Sequence, residues 1–482
     1  MSLVMPQEPV PLAELGRVHF AAIGGAGMSG IARIMLARGV PVSGCDAAAS
    51  AQLSELSGLG AQVTVGHSAE HVRAADTLVI STAIRADNPE LAEAGRRGIR
   101  VIHRACALAS VMLGREVIAV AGTHGKTTTT SMITTVLRSC GADPSYVIGG
   151  ILTETGLGAA DGSGPVFVAE ADESDGSFLM LSPHAAVVTS IEADHLDNYA
   201  SLSEIEAAFA AFAGRIAPGG FLVTSADDAG ARRLAASLAG PAGGPVPAGG
   251  SRPRLVTYGE SAGADYRLAG ARPAGMSCEL DLTARGQAVR VRLAVPGRHN
   301  ALNAAAAYAV AAELGFAPGE IAAGLAAYRG VRRRMEPRGE ADGVLLLDSY
   351  AHHPTEIAAD LAAARQIAEG GRVIVVFQPH LFSRTRIFAR EFGAALGHAD
   401  EALVMDVYAA REDPEPGVTG ALIADAVPAG RGAFHPDRES LPAVVADAAK
   451  PGDLVLTMGA GDVTALGPRI LAALSLRRGE AS

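Results

Sequence analysis

Two glycine-rich turns set the tightest limit on how this chain can fold, because each lies between an apolar strand-like run and a helical run. The first is "IGGAGMSGIA", residues 23–32, which has the spacing Gly25-x-Gly27-x-x-Gly30. The second is "AGTHGKTTT", residues 121–129. A glycine turn that opens a helix presents free backbone amides to a phosphate. Both turns therefore predict α/β units with phosphate sites at the carboxyl ends of their strands.

The first turn predicts a site for a diphosphate without saying which one. Asp46 ends the next apolar stretch, "VPVSGCD", where a ribose-binding acid is expected in a Rossmann unit. The same geometry serves NAD, a flavin or another nucleotide diphosphate, and a glycine turn without a ligand is a further alternative. The turn alone does not distinguish these alternatives.

The second turn predicts a P-loop, in which a lysine contacts the β- and γ-phosphates and a Ser or Thr hydroxyl binds Mg²⁺. Lys126 and Thr127 stand in those two positions. The spacing departs from the common form, since the first glycine of GxxxxGK[ST] would fall on Val120. Of the 40 Lys and Arg residues only Lys126 and Lys450 are lysines, so this placement favours a chemical role.

Acidic clusters follow two later strand-like runs: "EADESD" at residues 170–175 and "EADHLD" at residues 192–197. Mg²⁺ takes oxygen ligands, usually only one or two of them carboxylates when phosphates complete its shell. Most of these acids are therefore expected to be solvated or to cap helices. Histidine is an unusual ligand for so hard a cation, so His195 is a weak candidate by itself.

Two strand ends near the carboxyl terminus carry histidines and arginines, in "LLLDSYAHHPTEI" and "VVFQPHLFSRTR". His352 and His353 are adjacent and cannot point the same way on regular structure, so one is expected to act and the other to pack. Arg384 and Arg386 can clamp a carboxylate or a phosphate, although surface arginines are common in this chain.

The composition limits which partners and which cellular compartment are expected. A chain of 482 residues is expected to form several domains, and a formal charge of -11 argues against nucleic acid or an anionic membrane as a partner. No apolar run reaches membrane-spanning length and no secretory leader is apparent, so a cytoplasmic protein without membrane insertion is expected. The four cysteines form no CxxC pair and are expected to be packed free thiols: Cys45, Cys106, Cys140 and Cys278.

The order of the motifs predicts three α/β domains. We place them at residues 1–114, 115–330 and 331–482. Residues 239–254, "AGPAGGPVPAGGSRPR", are expected to form a flexible surface loop, and the three strand-like runs that follow are expected to be antiparallel.

Taken together, the motifs resemble the Mur ligase family, ATP-dependent amide-forming enzymes of bacterial cell-wall synthesis. The stretches that carry the resemblance follow the family order: residues 23–32, "AGTHGKTTT" from Ala121, "EADESD" from Glu170, "IEADHLDNY" from Ile191, "GRHNALNAAAA" from Gly297, "VRRRME" from Val331, "YAHHPTE" from Tyr350, "FQPH" from Phe377, "DVYAA" from Asp406 and "MGAGD" from Met458.

The resemblance implies an N-terminal Rossmann-like domain for a UDP-sugar, a central P-loop ATPase with a mixed sheet, and a C-terminal Rossmann-like domain that closes over both. Within the family, the motifs resemble those of members that join L-alanine to the lactyl carboxylate of UDP-N-acetylmuramate. ATP and Mg²⁺ are the implied cofactors. UDP-N-acetylmuramate and L-alanine are the implied partners, and the chain is expected to be a monomer or a homodimer.

The resemblance also assigns residues by position. The implied catalytic residues are Lys126, Glu170, His195, His352 and Arg384, and the implied metal ligands are Thr127, Glu170 and His195. The implied ATP-binding residues are Gly122, Thr123, His124, Gly125, Lys126, Thr127, Thr128, Asn300, Asn303, Arg332 and Tyr350. The implied substrate-binding residues are Gly25, Ala26, Gly27, Met28, Ser29, Asp46, His67, Ser81, Arg384 and Arg386.

Three departures from the family pattern matter. Ser349 stands where a second acid is common, and Leu381-Phe382 replaces a commoner Arg-Tyr. No lysine lies between Lys126 and Lys450, so a carbamylated lysine cannot hold a second metal. Three alternatives remain at this point: a ligase that adds a preformed peptide to the same sugar, a nicotinamide-dependent oxidoreductase and a P-loop regulator.

Overall fold

The structure is a computed structural model that describes residues 4–194, 198–239, 252–410 and 412–480. The chain divides into two compact units, described separately below. The first comprises Met1–Gly270, Asp281–Val291 and Leu302–Tyr328, and the second comprises Ala271–Leu280, Arg292–Ala301 and Arg329–Ser482. Nowhere in the described ranges is a helix both long and apolar enough to cross a bilayer.

Strands and helices alternate along most of the chain. The strands are β1 Val18–Ala21, β2 Val42–Asp46, β3 Gln62–Val65, β4 Thr77–Ile80, β5 Arg100–His103, β6 Glu116–Ala121, β7 Ser145–Val147, β8 Ala159–Ala160, β9 Val166–Glu170, β10 Ala185–Val188, β11 Phe221–Ser225, β12 Arg254–Gly259, β13 Tyr266–Ala274, β14 Ser277–Ala284, β15 Gln287–Leu293, β16 Glu336–Ala341, β17 Val344–Ser349, β18 Val373–Phe377, β19 Glu401–Val404, β20 Gly432–Phe434 and β21 Leu454–Met458. The helices are α1 Leu12–Leu15, α2 Ala26–Ala37, α3 Ala51–Gly58, α4 Pro89–Arg97, α5 Arg104–Met112, α6 Lys126–Ser139, α7 Leu202–Ala213, α8 Ala229–Ala239, α9 Arg298–Glu313, α10 Pro318–Ala327, α11 Pro354–Ile367, α12 Phe382–Leu396, α13 Ala421–Ala424, α14 Leu441–Ala448 and α15 Gly467–Glu480.

The first sheet is a Rossmann-like sheet of five parallel strands in the order β3-β2-β1-β4-β5. The chain leaves β1 for β2 on one side and later returns to β4 on the other side. The carboxyl end of β1 is therefore the point at which the strand order reverses, where ligands bind in open α/β sheets. The turn at residues 22–25 and Asp46 both lie at this edge.

The second sheet has ten strands in the order β15-β14-β13-β12-β11-β10-β6-β9-β7-β8. Strand β6 lies near its centre and pairs in parallel with β10 and β9. One apolar cluster extends from the first sheet into this one, and its members include Phe20, Ile31, Leu108 and Phe167. The two sheets of the first unit therefore share a core.

Helix α6 is rich in threonine yet buried. Thr130 Oγ1 donates to the Lys126 carbonyl and Thr134 Oγ1 donates to the Thr130 carbonyl, both at 2.8 Å. Ser131 Oγ lies 2.8 Å from Tyr328 Oη. Because these hydroxyls bond back to the helix or to a neighbour, the helix is buried without leaving them unsatisfied.

The second unit contains a six-stranded sheet in the order β16-β17-β21-β18-β19-β20. Strands β17, β21, β18, β19 and β20 pair in parallel, and β16 is antiparallel to β17. Alternate residues of β18 face two separate apolar clusters, with Val375 in one and Ile374 in the other. This sheet is thus covered on both faces, as a parallel sheet requires.

The predicted α/β class is confirmed, and the apolar stretch "VPVSGCD" forms β2. Six strands were not predicted: β3, β7, β8, β12, β16 and β20. Four of them, β3, β8, β16 and β20, lie at the edges of their sheets, where partial burial leaves little apolar pattern. The run "DYRLAG" lies in β13, which meets β12 in parallel. Most of the predicted loop, residues 240–251, lies outside the described residues. The boundaries at 114 and 330 stay predictions.

The turn before α6 depends on the glycine at position 122. Gly122 has a φ of +135°, and a Cβ built there would lie 2.1 Å from Thr189 Oγ1. Backbone strain and a clash with a buried side chain therefore act at the same position. Gly141, after α6, also has a positive φ of +77°, but a Cβ there would have nothing within 4 Å.

We expect Gly122→Ala to lower the free energy of unfolding by about 3 kcal/mol, because it adds the strain of a positive φ to overpacking against Thr189. The matched control Gly141→Ala carries the strain alone and is expected to cost about 1 kcal/mol. Urea unfolding of both variants measures the difference. Equal losses would show that the contact with Thr189 does not constrain the turn.

Candidate active site

Parallel pairing brings one glycine turn and two acidic strand ends to the same edge of the ten-stranded sheet. Strand β6 lies between β9 and β10, so the residues that follow these three strands are neighbours. The Thr123 amide donates to the Ser190 carbonyl at 2.9 Å, and the Glu192 amide donates to Thr123 Oγ1 at 2.9 Å. The turn after β6 is therefore fastened to the segment after β10.

Helix α6 begins directly at the end of this turn. Its N-cap is Gly125, whose φ of +80° suits glycine and which supplies no capping side chain. The amides of the first turn, which includes Thr127 and Thr128, consequently lack intrahelical partners. Together with the positive end of the helix dipole they form a candidate anion site.

The Lys126 side chain folds back over the turn. Its Nζ donates to the Gly122 carbonyl at 2.6 Å and to the Thr123 carbonyl at 3.2 Å, and it pairs with Glu173 Oε1 at 2.8 Å. Burial lowers the pKa of this ammonium, but the carboxylates of Glu173 and Glu170 outweigh burial and raise its pKa above the ordinary value. Lys126 is thus a fixed cation at the mouth of the turn.

A hydroxyl and a carboxylate lie side by side next to this cation. Thr127 Oγ1 donates to Glu170 Oε1 at 3.1 Å, and the Gly149 amide donates to Glu170 Oε2 at 2.8 Å. Two oxygens of these types fit Mg²⁺, which prefers hard oxygen ligands. His195, which was also predicted to bind metal, lies outside the described residues.

Three further acids of the two clusters, all within the described residues, have partners close by in the chain or at the same sheet edge. Asp172 Oδ1 accepts from the Ser174 amide and Asp175 Oδ1 from the Ser177 amide, both at 3.0 Å. Glu192 Oε2 lies 3.5 Å from His124 Nε2. His124, a predicted ATP-binding residue, therefore lies at the same edge of the ten-stranded sheet.

The predicted asparagines fall in different units. Asn303 belongs to the first unit, where its Oδ1 accepts from Thr129 Oγ1 at 3.2 Å. A Cβ on Gly125 would lie 2.7 Å from the same oxygen, so Asn303 packs against the P-loop. Asn300 belongs to the second unit, is buried, and donates from Nδ2 to the Pro296 carbonyl at 2.6 Å.

The first glycine turn forms a second candidate anion site in the same unit. Helix α2 begins at Ala26 after the extended N-cap Gly25, so its first amides are open in the same way as those of α6. Asp46 Oδ2 accepts from the Gly24 amide at 2.9 Å and holds the turn against the end of β2.

The side chains of this turn differ in exposure. Met28 is buried in the apolar core, and Ser29 Oγ donates to the Ala26 carbonyl at 3.2 Å. These residues can therefore meet a ligand mainly through their amides. His67 and Ser81 follow β3 and β4, at the same edge of the sheet, and His67 Nδ1 lies 3.0 Å from Glu90 Oε2.

An arginine that sequence reasoning missed lies between the two anion sites. Arg104 Nη2 donates to Asp172 Oδ2 at 2.5 Å, and a Cβ on Gly27 would lie 3.6 Å from Arg104 Nη1. Burial lowers the pKa of its guanidinium, but Asp172 and Asp175 outweigh burial and raise its pKa. Glu173, the partner of Lys126, was also missed. Both assignments depend on contacts across the unit that no local motif encodes.

In the second unit, arginines stack on Tyr350, which was predicted to bind ATP. The guanidinium carbons of Arg333 and Arg334 lie 4.8 and 5.4 Å from the Tyr350 ring centroid, within range of a cation–π contact. Arg333 Nη2 also donates to the Gly459 carbonyl at 2.6 Å. Arg332, the member of this run predicted to bind ATP, is exposed.

The two adjacent histidines have different surroundings. His353 is the N-cap of α11, and its Nδ1 accepts from the Thr355 amide at 3.4 Å. His352 Nδ1 lies 2.9 Å from the Tyr350 carbonyl and 3.6 Å from Glu356 Oε2. His353 therefore has a structural role, as one of the pair was predicted to have.

Burial is the main cause that lowers the pKa of His352 to about 3, with Glu356 opposing and Arg384 adding to the shift. His352 is consequently neutral at pH 7, and it is a weaker base than an unperturbed histidine. Arg384 is buried at the start of α12, whereas Arg386 is 55% exposed and pairs with Glu415 at 3.0 Å.

Ser349, which replaces an acid common in the family pattern, is buried in a polar cluster. Its Oγ bonds to Asp360 and accepts from the Ala351 amide at 3.0 Å. His299 Nε2 lies 3.7 Å from the same Asp360. Asp360 of α11 therefore contacts the hydroxyl at this position, and β17 contributes the buried Asp348 next to it.

Comparisons with known proteins give a consistent result. Three family profiles match in chain order: the Mur ligase family catalytic domain at residues 17–116, the Mur ligase middle domain at 120–311, and the Mur ligase glutamate ligase domain at 333–461. A UDP-N-acetylmuramate--L-alanine ligase from Thermobifida fusca is 57% identical, and the match covers 98% of this chain and 100% of the relative.

Two solved structures are also similar. A UDP-N-acetylmuramate-alanine ligase from Thermotoga maritima has a TM-score of 0.79 at 29% identity, and the match covers 97% of this chain and 100% of that one. A murein peptide ligase from Psychrobacter arcticus has a TM-score of 0.70 at 24% identity over 95% of this chain and 99% of that one, and it shows the same fold.

We expect Glu173→Gln to lower the free energy of unfolding by about 3 kcal/mol, because it leaves the buried Lys126 ammonium without its carboxylate partner. Urea unfolding measures the loss. In a double-mutant cycle with Lys126→Met, the combined loss is expected to be smaller than the sum of the single losses.

The matched control is Glu439→Gln, which breaks an exposed ion pair with Arg469. Its expected cost is below about 1 kcal/mol. Strict additivity of Glu173→Gln and Lys126→Met would show that the two side chains do not interact in solution.

Proposed function

The chain belongs to the Mur ligase family, and we propose that it joins L-alanine to the lactyl carboxylate of UDP-N-acetylmuramate at the expense of ATP. The products are the amide, ADP and phosphate, in a cytoplasmic step of peptidoglycan synthesis. The observation that carries the proposal is one unit with two helix N-terminal anion sites, one of them beside Lys126, Thr127 and Glu170.

The chemistry explains why one chain needs two anion sites. A carboxylate does not react with an amine at neutral pH, so one carboxylate oxygen first attacks the γ-phosphorus of ATP and ADP leaves. The resulting acyl phosphate is attacked by the amine, and inorganic phosphate leaves from the tetrahedral intermediate. One site must hold the nucleotide that supplies the phosphoryl group, and the other must hold the molecule that carries the carboxylate.

We assign the site before α6 to ATP. Lys126 exchanges its contacts with Glu173 and the turn carbonyls for phosphate oxygens, and the open amides of α6 bind the same phosphates. Thr127 and Glu170 fit Mg²⁺ through their oxygens, with His195 as the further predicted ligand. When bound, Mg²⁺ neutralises phosphate charge that develops during transfer.

We assign the site before α2 to the UDP-sugar. Its amides face the diphosphate, and Asp46 is placed at the end of β2 for the ribose or base. Arg104 lies between this site and Asp172 of the ATP site, so its guanidinium can contact the substrate near the reacting carboxylate. His67 and Ser81 complete the predicted set at this edge.

We assign the amino acid to residues of the second unit, with Arg384 as the cation for its carboxylate. His352 is neutral, so it is suited to accept a hydrogen bond from the amine more than to store the amine's proton. Asn300, Arg332 and Tyr350 are the proposed ATP contacts of this unit, and Arg386 is a proposed contact for the amino acid.

Supplied with ATP, Mg²⁺, UDP-N-acetylmuramate and L-alanine, the purified chain is expected to release one phosphate for each UDP-N-acetylmuramoyl-L-alanine formed. Phosphate assay and mass spectrometry of the product measure this ratio. Omitting either L-alanine or UDP-N-acetylmuramate is the control and should stop the release of phosphate. Preference for a tripeptide acceptor would identify a peptide-adding ligase, and ATP turnover indifferent to sugar and alanine would identify a P-loop regulator.

Lys126→Ala is expected to reduce product formation by at least about 10³-fold, because it removes the cation that meets the transferred phosphate. Binding of UDP-N-acetylmuramate, measured by calorimetry, should stay near normal, since its site is built by other residues. The other lysine provides the control: Lys450→Ala changes an exposed residue and should leave both quantities unchanged. Loss of sugar binding in Lys126→Ala would contradict the assignment of separate sites.

A further inference from the structure

Four potential metal ligands meet on one face of the first sheet, next to the first glycine turn, whose Ile23 amide donates to the Cys45 carbonyl. They are His19 on β1, Cys45 on β2, His71 in the turn Ala69–Val72, and Glu90 on α4. One ligand atom from each lies within 4.8 Å of the others. His19 and Ser43 are paired residues of neighbouring strands, and Cys45 is two residues further along β2, so these side chains share one face.

Glu90 is the centre of this cluster and is fully buried. The Cys45 thiol donates to its Oε1 at 2.8 Å, and His71 Nδ1 lies 2.8 Å from the same oxygen. His67 Nδ1 and the Ser68 amide contact the carboxylate at 3.0 and 3.3 Å. None of these partners carries a permanent positive charge. A buried carboxylate surrounded in this way gains from a cation placed among its neighbours.

His19 gives an independent indication of a ligand. Its Nε2 is buried, has no hydrogen-bond partner among the described residues, and lies 3.9 Å from Glu90 Oε1. Its other ring nitrogen, Nδ1, lies 2.9 Å from Ser43 Oγ. This is the arrangement of a metal-binding histidine, which donates from one ring nitrogen to a neighbouring acceptor and binds metal through the other. Buried ring nitrogens are otherwise paired in folded proteins.

We propose that His19, Cys45, His71 and Glu90 bind one Zn²⁺ ion. One thiolate, two imidazoles and one carboxylate are all zinc ligands, and four protein ligands make the closed tetrahedral set of a structural site. The mixture of sulfur and nitrogen disfavours Mg²⁺ and Ca²⁺, which take oxygen. On binding, the Cys45 thiol gives its proton to solvent, and thiolate and carboxylate together balance the charge of the ion.

The spacing of the ligand atoms fits such a site after small side-chain rotations. Bonds of about 2.0–2.3 Å to a tetrahedral ion place its ligands roughly 3.3–3.8 Å apart. The contacts of Glu90 with Cys45 and His71 are hydrogen bonds of 2.8 Å and would widen by about 1 Å or less. His67 Nδ1, 3.2 Å from Cys45 Sγ, is placed to donate to the thiolate as a positioning residue.

The site joins four segments that are far apart in sequence. It ties β1 and β2 to the turn before β4 and to α4. Cys45 immediately precedes Asp46 in β2, and His67 contacts both Cys45 and Glu90. We expect the bound ion to stabilise the part of the chain that contains the five-stranded sheet and to fix the positions of Asp46 and His67. The sequence predicted that all four cysteines are packed free thiols. Under this proposal, Cys45 is instead a thiolate ligand of the metal.

Elemental analysis of the full chain, purified without a metal-affinity column and dialysed against excess Mg²⁺, tests the proposal. About one zinc per chain is expected, with the excess Mg²⁺ occupying the site at Thr127 and Glu170. After exchange with Co²⁺, the wild type should show a sulfur-to-cobalt charge-transfer band. Only a thiolate ligand gives this band, so cobalt bound by carboxylates elsewhere cannot imitate it.

Cys45→Ala and His71→Gln should each lose the zinc, and Cys45→Ala should lose the charge-transfer band. Cys140→Ala is the matched control and should keep both, because Cys140 lies at the end of α6. Chelation should lower the unfolding temperature of the wild type and leave that of Cys45→Ala unchanged. Circular dichroism checks that each variant folds. A wild type without zinc and without the cobalt band, or a band that persists in Cys45→Ala, would overturn the proposal.

Discussion

Parallel pairing of β6 with β9 and β10 is the constraint on which the proposed active site depends. Every parallel strand ends at the same edge of its sheet, so the segments that follow these three strands are forced together whatever their separation in the chain. Lys126, Glu170 and Thr189 come from three such segments. The glycine at position 122 then allows the first segment to approach the third, since any side chain there would meet Thr189.

This geometry also brings the buried cations of the site next to carboxylates that balance their charge. A buried ammonium such as that of Lys126 is costly unless it is paired, and Glu173 together with two turn carbonyls meets that need. The proposed ligand carries the same kind of negative oxygen, so phosphates can replace these partners without leaving the ammonium unsatisfied. Arg104 is held in a comparable way by Asp172. The first unit thus keeps two cations at its anion sites by pairing each with an acid from "EADESD".

Local motifs predicted most of the elements that position the site. The two glycine turns open α2 and α6 as their spacing indicated, and Glu170, at the end of β9, lies beside Thr127. Strands at sheet edges, such as β3 and β20, were not predicted because their residues are only partly buried and show no strong apolar pattern. The sequence also could not show which acid pairs with Lys126, because "EADESD" places four carboxylates within six residues.

The amino-acid sequence by itself determined the order of the βα units, the two helix N-termini that are proposed to bind anions, and the residue types that phosphoryl transfer needs. These features depend on backbone conformation and on neighbours within a few positions, which local sequence specifies. Only the tertiary structure decided that Glu173 pairs with Lys126, that burial keeps His352 neutral, and that His19, Cys45, His71 and Glu90 meet on one sheet face. Those outcomes depend on distances and burial between segments far apart in the chain, and no spacing within a single segment encodes them.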